Sequence, residues 1–526
     1  MSRGGVAIVG SGMIGSALAY ALTARGHDVV VFEKGPDYPY PHEQPFLETI
    51  NYDYANPAFR LDDDLRRMTM SGNYRRDLSL ESVMVVGGSG TVWSGLAMRM
   101  WPRDFKVRSL FGYGDDWPVD YDTLEPWLCR AEAHLGVSGT DDDNPWPRPR
   151  SRPYPLPTFP LTEDDALLAE RLARDGIRVH TTPQARTRLD YHGRPACMNY
   201  GLCDVCPIGA RYSPNYHLLA AIATRRCTLH CNVSVRRVLT DAAGRARGLL
   251  VRDNHGHADR EHPADLVIVA GHAIESARLL LLSKDAKHPD GLGNGGGHVG
   301  QHLTFHHVWS GHMHYREPLY PGRVGFWTAQ SEQFCDPPTR GRHGGIKIEF
   351  SSNPWSNHAR KAGEANSVEE ALRRFEITRR CRQVAMHAES VPTPQKFVAL
   401  SRETDRFGDP AAHVHYESGD FDYRTYEFGK QLFARVARAT GATDLEYREA
   451  DDFATFAHNM GTCRMGTGVK DSVTDSFGRV HDTPGLFTIG LGNFVGAGGS
   501  VNPTLTAVAL ALRSADAIAE ELDRAG

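Results

Sequence analysis

A glycine-rich turn between two apolar runs is the feature that most constrains how this chain can fold. The run Val6–Val9 leads into Gly10-Ser11-Gly12-Met13-Ile14-Gly15, and a second run, Val29–Phe32, ends at Glu33. Between the runs, apolar residues recur every four positions, as on one face of a helix. The order of strand, glycine turn, helix, strand and acid predicts a βαβ unit that binds a dinucleotide.

Each glycine of this turn has a separate physical task. Gly10 makes the tight turn, Gly12 lets the backbone approach a pyrophosphate, and Gly15 lets the helix pack closely on the strand. The helix N-terminus offers free N–H groups to the phosphates, and Glu33 can accept hydrogen bonds from a ribose diol. FAD and NAD both use such a unit, so it does not distinguish them. The candidate cofactor residues here are Gly10, Gly12, Met13, Ile14, Gly15, Glu33 and Lys34.

Length and composition narrow the classes of protein to consider. The chain has 526 residues, which suits two large domains, and its net charge of −5 gives no support to nucleic-acid binding. There is no run of 18 apolar residues and no secretion signal, so we expect no membrane anchor and a cytoplasmic location. Nine cysteines in a chain of this length do not imply a disulfide framework.

Nucleotide-binding character recurs in three separate parts of the chain. A second strand, turn and helix are predicted over 266–282, and an α/β pattern returns over 486–522. Residues 101–165 are rich in Pro, Trp and Asp and predict long irregular structure, and 300–450 mixes β-type segments with a polar helix. We therefore predict a discontinuous FAD-type domain over 1–100, 200–300 and 455–526. A substrate domain is predicted over 101–199 and 301–454.

Four segments align in order with one known family. They are the opening unit, residues 86–93 (VGGSGTVW), residues 270–280 (AGHAIESARLL), and residues 458–466 (HNMGTCRMG) followed by 502–506 (NPTLT). Together they resemble the glucose-methanol-choline (GMC) oxidoreductases, on the branch of pyranose oxidases and flavoprotein subunits of sugar dehydrogenases. The resemblance implies an α/β fold, with a Rossmann-type FAD domain interleaved with an α+β substrate domain on an antiparallel sheet.

The resemblance also implies which further residues lie along FAD. Some pyranose oxidases attach FAD through a histidine in the second segment; Val92 occupies that position here, which implies non-covalent FAD. The segment 490–493 departs from an aspartate that many relatives carry, and we expect its backbone N–H groups to contact FAD. The implied residues are Gly87, Gly88, Ser89, Gly90, Thr91, Trp93, Val235, Ala270, Gly271, Gly492, Asn493, Pro503 and Thr504.

The matching positions make His458 the general base and Asn502 the group that holds the substrate oxygen. An imidazole has a pKa near working pH and can take a hydroxyl proton, after which the resemblance implies hydride transfer to flavin N5. Each residue also has a structural interpretation. His458 is one of 25 histidines, and Asn502 precedes Pro503, a common helix start. A second cluster, His302, His306 and His307, fits either core or surface residues.

Three closely spaced cysteines, Cys197, Cys203 and Cys206, resemble the cysteine segment of FAD sugar-dehydrogenase subunits. We expect no metal here, and two alternatives remain open. Three thiolates could hold a three-iron cluster, and a zinc site would need a fourth ligand such as Cys227, Cys231 or a histidine. A cluster would imply electron transfer to a partner, whereas without one O2 or another diffusible acceptor is expected.

The function implied is FAD-dependent oxidation of a hydroxyl to a carbonyl on a sugar, glycoside or aminoglycoside. Two alternatives stay open: a non-redox lyase of the same fold, and an electron-transferring dehydrogenase subunit with an Fe–S cluster. Substrate would not bleach the flavin of a lyase. An iron assay tests whether the chain is an electron-transferring subunit with an Fe–S cluster.

Overall fold

The computed structural model describes residues 5–51, 59, 64–73, 82–200, 203–256, 258–319, 327–351, 363–447 and 458–525. In chain order the strands are β1 (Val6–Val9), β2 (Val29–Phe32), β3 (Met68–Gly72), β4 (Ser138–Gly139), β5 (Leu156–Pro157), β6 (His180–Thr181), β7 (Cys227–His230), β8 (Val233–Thr240), β9 (Ala246–Asp253), β10 (Asp259–Pro263), β11 (Leu266–Val269), β12 (His307–His314), β13 (Trp327–Ser331), β14 (Ile346–Ser351), β15 (Cys381–Ala388), β16 (Phe397–Thr404), β17 (Pro410–Tyr416), β18 (Asp444–Tyr447) and β19 (Leu486–Thr488).

The α-helices follow the same numbering scheme. They are α1 (Met13–Ala24), α2 (Glu43–Asn51), α3 (Val107–Phe111), α4 (Tyr121–Leu135), α5 (Glu163–Arg174), α6 (Asn215–Ala223), α7 (Ala273–Leu282), α8 (Val368–Thr378), α9 (Asp420–Thr440) and α10 (Thr504–Ala525). A short 3₁₀ turn covers Gly88–Thr91. Among the described residues, no helix combines the length and the apolar character needed to cross a bilayer.

The first layer is a parallel sheet in the order β19-β11-β1-β2-β7. Val6 pairs with Val29 on one side and with Leu266 on the other. Strands β1, β2 and β11 are apolar on both faces because both faces are covered, one by helix α1 and the other by strands β8 and β9, as the short Val/Ile-rich runs predict. The predicted βαβ unit is therefore present: α1 begins directly after Gly12, and Gly10 and Gly26 take positive φ values of 99° and 89° at its two turns.

The second layer is a six-stranded sheet in the order β18-β12-β15-β14-β13-β6, in which all pairs are antiparallel. Helix α9 packs on it closely, since a Cβ added to Gly429 would lie 2.1 Å from the Trp309 ring. Parallel and antiparallel sheets with covering helices confirm the predicted α/β fold with an antiparallel sheet in its second part.

The two sheets fall in different parts of the predicted domain division. The strands of the parallel sheet lie within 1–100, 200–300 and 455–526, and those of the antiparallel sheet within 101–199 and 301–454. One small sheet crosses the division, because β3 pairs in parallel with β17. The domain bounds themselves stay a prediction.

Residues 101–165 are less irregular than their composition indicates. Helix α4 runs for 15 residues, with the Asp120 carboxylate accepting from the Thr123 N–H at its start and Gly136 at φ 65° at its end. Leu124, Leu128 and Leu135 are fully buried. Burial of this apolar face stabilises the helix, and the Pro, Trp and Asp residues around it obscure its helical periodicity in the sequence.

Candidate active site

A cavity of about 1170 Å³ lies between the two sheets. On one side it is lined by residues at the carboxyl ends of β1, β2 and β11, the edge where open α/β sheets bind ligands. On the other side it is lined by β12, β13, β14 and β15, through Val308, Ser310, Trp327, Glu349, Gln383, Ala385 and His387. A ligand there contacts the nucleotide-binding strands at one end and the antiparallel sheet at the other.

The two glycine segments meet at the wall of this cavity. A Cβ on Gly15 would lie 1.9 Å from the Gly10 carbonyl oxygen, and a Cβ on Gly88 would lie 3.2 Å from the Gly12 Cα. The Gly87 N–H donates to the Ser11 hydroxyl over 3.1 Å. Side chains are excluded from these contacts, so the backbone itself forms the cradle, which fits a pyrophosphate.

Glu33 and Lys34 line the same cavity, but their side chains make different interactions. The Glu33 carboxylate accepts from the Ser11 N–H (3.0 Å), the Ser11 hydroxyl (2.7 Å) and the Gly35 N–H (3.0 Å). Burial raises its pKa, and these hydrogen bonds oppose the rise. The Lys34 ammonium lies 2.8 Å from Glu275 and is already used in an ion pair. Glu33 is therefore the group of the two that is suited to a ribose.

Most of the predicted cofactor residues line the cavity. They are Gly10, Gly12, Met13, Ile14, Glu33, Lys34, Gly88, Ser89, Gly90, Trp93, Val235, Ala270, Gly271 and Thr504. Gly15, Gly87, Thr91, Gly492, Asn493 and Pro503 are not among the lining residues. The Asn493 amide instead donates to the Thr474 hydroxyl over 3.0 Å, and Leu491 is the residue of that segment that reaches the cavity.

The predicted catalytic pair lies together at the cavity wall. The Asn502 Nδ2 is 3.5 Å from the His458 Nε2. Desolvation, together with the neighbouring His306, His387 and Lys347, lowers the pKa of His458 well below 6.5. A free imidazole is partly protonated near neutral pH, whereas the His458 ring in the folded chain is neutral at neutral pH, which is the form that accepts a proton.

Two buried charges behind the pair were not found from the sequence. The Lys347 ammonium contacts both the Glu349 carboxylate and the Asn502 amide oxygen. Burial raises the pKa of Glu349, but the charges of His387 and Lys347 outweigh it and hold the value at about 2. Charged residues alternating with Ile346 and Ile348 are typical of a solvent-facing strand, so the pattern itself points away from a site.

The Asn502 side chain lies between Lys347 and His458. Its amide oxygen contacts Lys347 and its amide nitrogen faces His458, while α10 begins two residues later at Thr504. These contacts favour a substrate-facing role over a helix cap alone. Of the second histidine cluster, His306 reaches the site and lies 2.8 Å from His458, whereas the His307 Nε2 lies 3.0 Å from the Tyr416 hydroxyl in the core.

The three predicted cysteines share a second, smaller cavity. Cys197, Cys203 and Cys206 line it with Arg186 and Arg211. Backbone N–H groups lie 3.4 Å from two of the sulfurs, and the Arg186 guanidinium lies 3.8 Å from the third. Within the described ranges, the histidines 306, 387 and 458 are the group of three that brings its ligand atoms within 4.8 Å. The cysteines are not such a group, and Cys227 and Cys231 do not line this cavity, so the geometry does not favour a single zinc ion.

Comparison with known proteins identifies the family. Models of GMC oxidoreductases match residues 167–308 and 392–511, and a model of FAD dependent oxidoreductases matches residues 5–41. The fructose dehydrogenase large subunit of Gluconobacter japonicus is 30% identical over 98% of both chains. Paromamine 6'-oxidase of Streptomyces fradiae is 29% identical, covering 98% of this chain and 91% of its own.

A solved structure supports the fold independently. The chain superimposes on pyridoxine 4-oxidase from Mesorbium loti with a TM-score of 0.64 at 18% identity, covering 97% of this chain and 98% of that one. The glycine cradle, the cavity between the sheets and the full-length matches agree with one another. The chain belongs to the GMC oxidoreductase family, as a FAD-dependent enzyme that oxidises CH–OH groups.

Proposed function

We propose that this enzyme oxidises a hydroxyl of a sugar, glycoside or aminoglycoside to a carbonyl, with His458 as general base and Asn502 as the group that binds the substrate oxygen. The observation that carries the proposal is their shared position. The His458 Nε2 and the Asn502 amide nitrogen are 3.5 Å apart on the wall of the cavity that also contains the glycine cradle. A hydroxyl placed between them contacts a proton acceptor and a donor at once.

The proton moves from the substrate hydroxyl to the His458 Nε2. The lowered pKa keeps the ring neutral before the substrate arrives. Charge then develops on the substrate oxygen, and a donor aimed at that oxygen stabilises it. Asn502 is oriented to be this donor, because Lys347 donates to its amide oxygen and so turns its NH2 group towards His458.

Bound FAD supplies the hydride acceptor. We propose that the backbone of Gly10, Gly12 and Gly88 holds its pyrophosphate and that Glu33 holds its ribose, together with the other cavity-lining residues predicted from the sequence. Val92 also lines the cavity and carries no nucleophile, which supports non-covalent binding. We retain the proposed division into a FAD domain and a substrate domain, because the cavity lies between their two sheets.

The substrate class rests on the relatives and on the lining of the cavity. Similar proteins are named for fructose, for paromamine and for 6'''-hydroxyparomomycin C. At the antiparallel sheet, the cavity is lined by the hydrogen-bonding side chains of Ser310 and Gln383 and by the Trp327 ring, a combination suited to a polyhydroxylated ring. O2 or another acceptor takes the electrons afterwards.

We also propose a cytoplasmic location. All nine cysteines of the chain lie in described residues and are free thiols. Free thiols are usual where the compartment is reducing.

The experiment is anaerobic flavin bleaching by candidate substrates. The purified holoenzyme is mixed with a ketose, an aldopyranose, an alkyl glycoside, an aminoglycoside and a simple alcohol, and flavin absorbance is followed. We expect bleaching by a sugar-type compound. His458→Ala, which leaves the glycine cradle intact, is expected to retain FAD and to bleach at least about 100 times more slowly.

Three results contradict the proposal. A folded preparation that binds no flavin overturns the cofactor assignment. Bleaching by the simple alcohol alone overturns the sugar class, and a carbonyl product formed with no bleaching at all supports the lyase alternative instead.

A second candidate function, electron transfer through an iron–sulfur cluster, is favoured by one observation. The loop that carries Cys203 and Cys206 also places Asp204 and Val205 in the wall of the large cavity. The Arg211 guanidinium donates to the carbonyl of Gly90 in the glycine segment over 2.9 Å. A cluster at the cysteines would therefore adjoin the flavin site.

Iron and acid-labile sulfide analysis of protein purified without oxygen tests this candidate. If Cys197, Cys203 and Cys206 hold a cluster, Cys203→Ser is expected to lose iron while retaining flavin. Stoichiometric flavin with no iron in the wild-type protein contradicts the cluster and leaves free thiols.

A further inference from the structure

His306 lies behind His458 and has fixed hydrogen-bonding partners. Its Nε2 is 3.0 Å from the carbonyl oxygen of Ala497 and 3.0 Å from that of Gly499. Its Nδ1 is 2.8 Å from the Nδ1 of His458. Carbonyl oxygens only accept hydrogen bonds, so the Nε2 of His306 must carry a proton.

The protonation of the second nitrogen follows from burial. His306 is fully buried, and burial, with the charges of His387 and Lys347, lowers its pKa to about 3. The ring is therefore neutral at neutral pH, and its Nδ1 carries no proton. Because that nitrogen accepts, the Nδ1 of His458 must donate to it.

This donation decides which nitrogen of His458 is free. A neutral imidazole carries a single proton, and here that proton is on Nδ1. The Nε2 of His458 is then an unprotonated acceptor facing the Asn502 amide nitrogen. The hydrogen bonds then all run in one direction. Lys347 donates to the Asn502 amide oxygen, the Asn502 amide nitrogen faces the His458 Nε2 as a donor, and the His458 Nδ1 donates to His306.

The two carbonyl oxygens that accept from His306, those of Ala497 and Gly499, lie in the turn that precedes Asn502. Gly498 and Gly499 have φ values of 68° and 71°, which side chains rarely adopt. A Cβ on Gly498 would lie 2.8 Å from the Met100 side chain, and one on Gly499 would lie 2.6 Å from the Asp104 carboxylate. Only glycine fits at these two positions, and the turn places both carbonyls against His306.

The distances between the ring nitrogens of these histidines fit a series of hydrogen bonds better than they fit a bound metal ion. Two nitrogen ligands of a tetrahedral zinc ion lie about 3.4 Å apart. The nitrogens of His306 and His458 are 2.8 Å apart, the distance of a hydrogen bond.

We propose that His306 is the positioning residue of the active site, which keeps the proton of His458 on Nδ1 and so leaves Nε2 free to take the substrate proton. When the substrate hydroxyl gives its proton to Nε2, His458 becomes an imidazolium whose Nδ1–H still donates to His306, so no other proton has to move. The assignment rests on the proposed function of His458, but the protonation pattern does not depend on the substrate.

The direct test is ¹⁵N NMR of the holoenzyme labelled at histidine, with the His458 signals assigned by their loss in His458→Gln. Ring nitrogens with and without a proton have well separated chemical shifts. We expect a protonated Nδ1 and a bare Nε2 in the wild type. A protonated Nε2 overturns the proposal, whether or not any substrate has been found.

The kinetic test compares two neighbouring buried histidines. His306→Leu removes the acceptor and is expected to slow flavin reduction by about 100-fold, with a mixture of His458 protonation states by NMR. His306→Asn places an amide oxygen near the lost nitrogen and is expected to recover part of the rate. His307→Leu makes the same change in size at a core position and serves as the control.

The rates distinguish positioning from a structural effect. Wild-type flavin reduction in folded, flavin-loaded His306→Leu overturns the proposal, as does an equal loss of rate in the two leucine variants. If no compound bleaches the flavin, the proposed function fails, and the NMR measurement still decides the role of His306.

Discussion

Replacing Lys347 with Met separates the catalytic role of a buried charge from its role in stability. The ammonium is fully buried, and its partner Glu349 is 1% exposed. Removing one member of a buried pair leaves the other charge unpaired and costs about 3–5 kcal/mol of folding free energy. The variant also removes the donor that orients the Asn502 amide.

The rate of flavin reduction is expected to fall much more than stability alone predicts. Without Lys347, the amide oxygen loses the donor that holds it inward, and Asn502 no longer presents its NH2 group to the substrate oxygen. Loss of one oriented donor to a developing oxyanion costs about 100- to 1000-fold in rate. The loss of a nearby cation also raises the pKa of His458, so the acidic limb of the pH–rate profile moves to higher pH.

The matched control is Lys396→Met. Lys396 is 1% exposed and lies 2.7 Å from Asp422, which is 2% exposed. This pair has the same burial and does not line the cavity, so it should cost similar stability with no change in the rate. The double variant Lys347→Met/Glu349→Gln removes both charges and is expected to recover stability without recovering the rate.

Thermal unfolding and anaerobic stopped-flow reduction measure the two effects. If Lys347→Met folds, binds FAD and reduces it at the wild-type rate, Lys347 does not orient the Asn502 amide for catalysis. An equal loss of rate in Lys396→Met would show that the effect is general destabilisation.

Three further predictions concern the cradle, acid stability and the free thiols. Gly15→Ala places a Cβ 1.9 Å from the Gly10 carbonyl oxygen; we expect flavin-free or unfolded protein, measured by flavin absorbance and circular dichroism, and a fully loaded variant contradicts the cradle. Burial lowers the pKa of His306 to about 3 and of His307 to about 4, both from 6.5. Between pH 6.5 and these folded-state pKa values the unfolded chain binds more protons, so the free energy of unfolding falls by about 1.4 kcal/mol per pH unit for each histidine as the pH drops, until about pH 4 for His307 and about pH 3 for His306. Chemical denaturation between neutral and acid pH should show this loss, and an unchanged stability refutes the neutral, buried assignment. Under denaturing conditions without reductant, thiol titration should find all nine cysteines, and a smaller number contradicts the free-thiol assignment.

The nucleotide-binding unit was predictable because all of its elements follow one another directly in the sequence. A strand, a turn that only glycine can form, a helix and a second strand follow one another within 5–33, so their contacts are short in sequence and their residue types are diagnostic. The motifs at His458 and Asn502 were recognisable in the same way, because a resemblance depends on contiguous letters.

The partners of the proposed catalytic pair could not be predicted from contiguous motifs. His306 and His458 are 152 positions apart, and Lys347 and Asn502 are 155 apart. They meet because β12, β14 and β15 pair in one sheet facing the parallel sheet across the cavity.

Local pattern was misleading where burial decided the role. The alternation of Lys347 and Glu349 with isoleucines is typical of a solvent-facing strand, yet β14 is buried at all six residues, and the composition of 101–165 obscures helix α4. The sequence predicted the nucleotide-binding unit and, through the family resemblance, the proposed catalytic pair. The charges and protons around that pair follow from the tertiary structure, because desolvation and hydrogen-bond direction depend on neighbours that chain order does not specify.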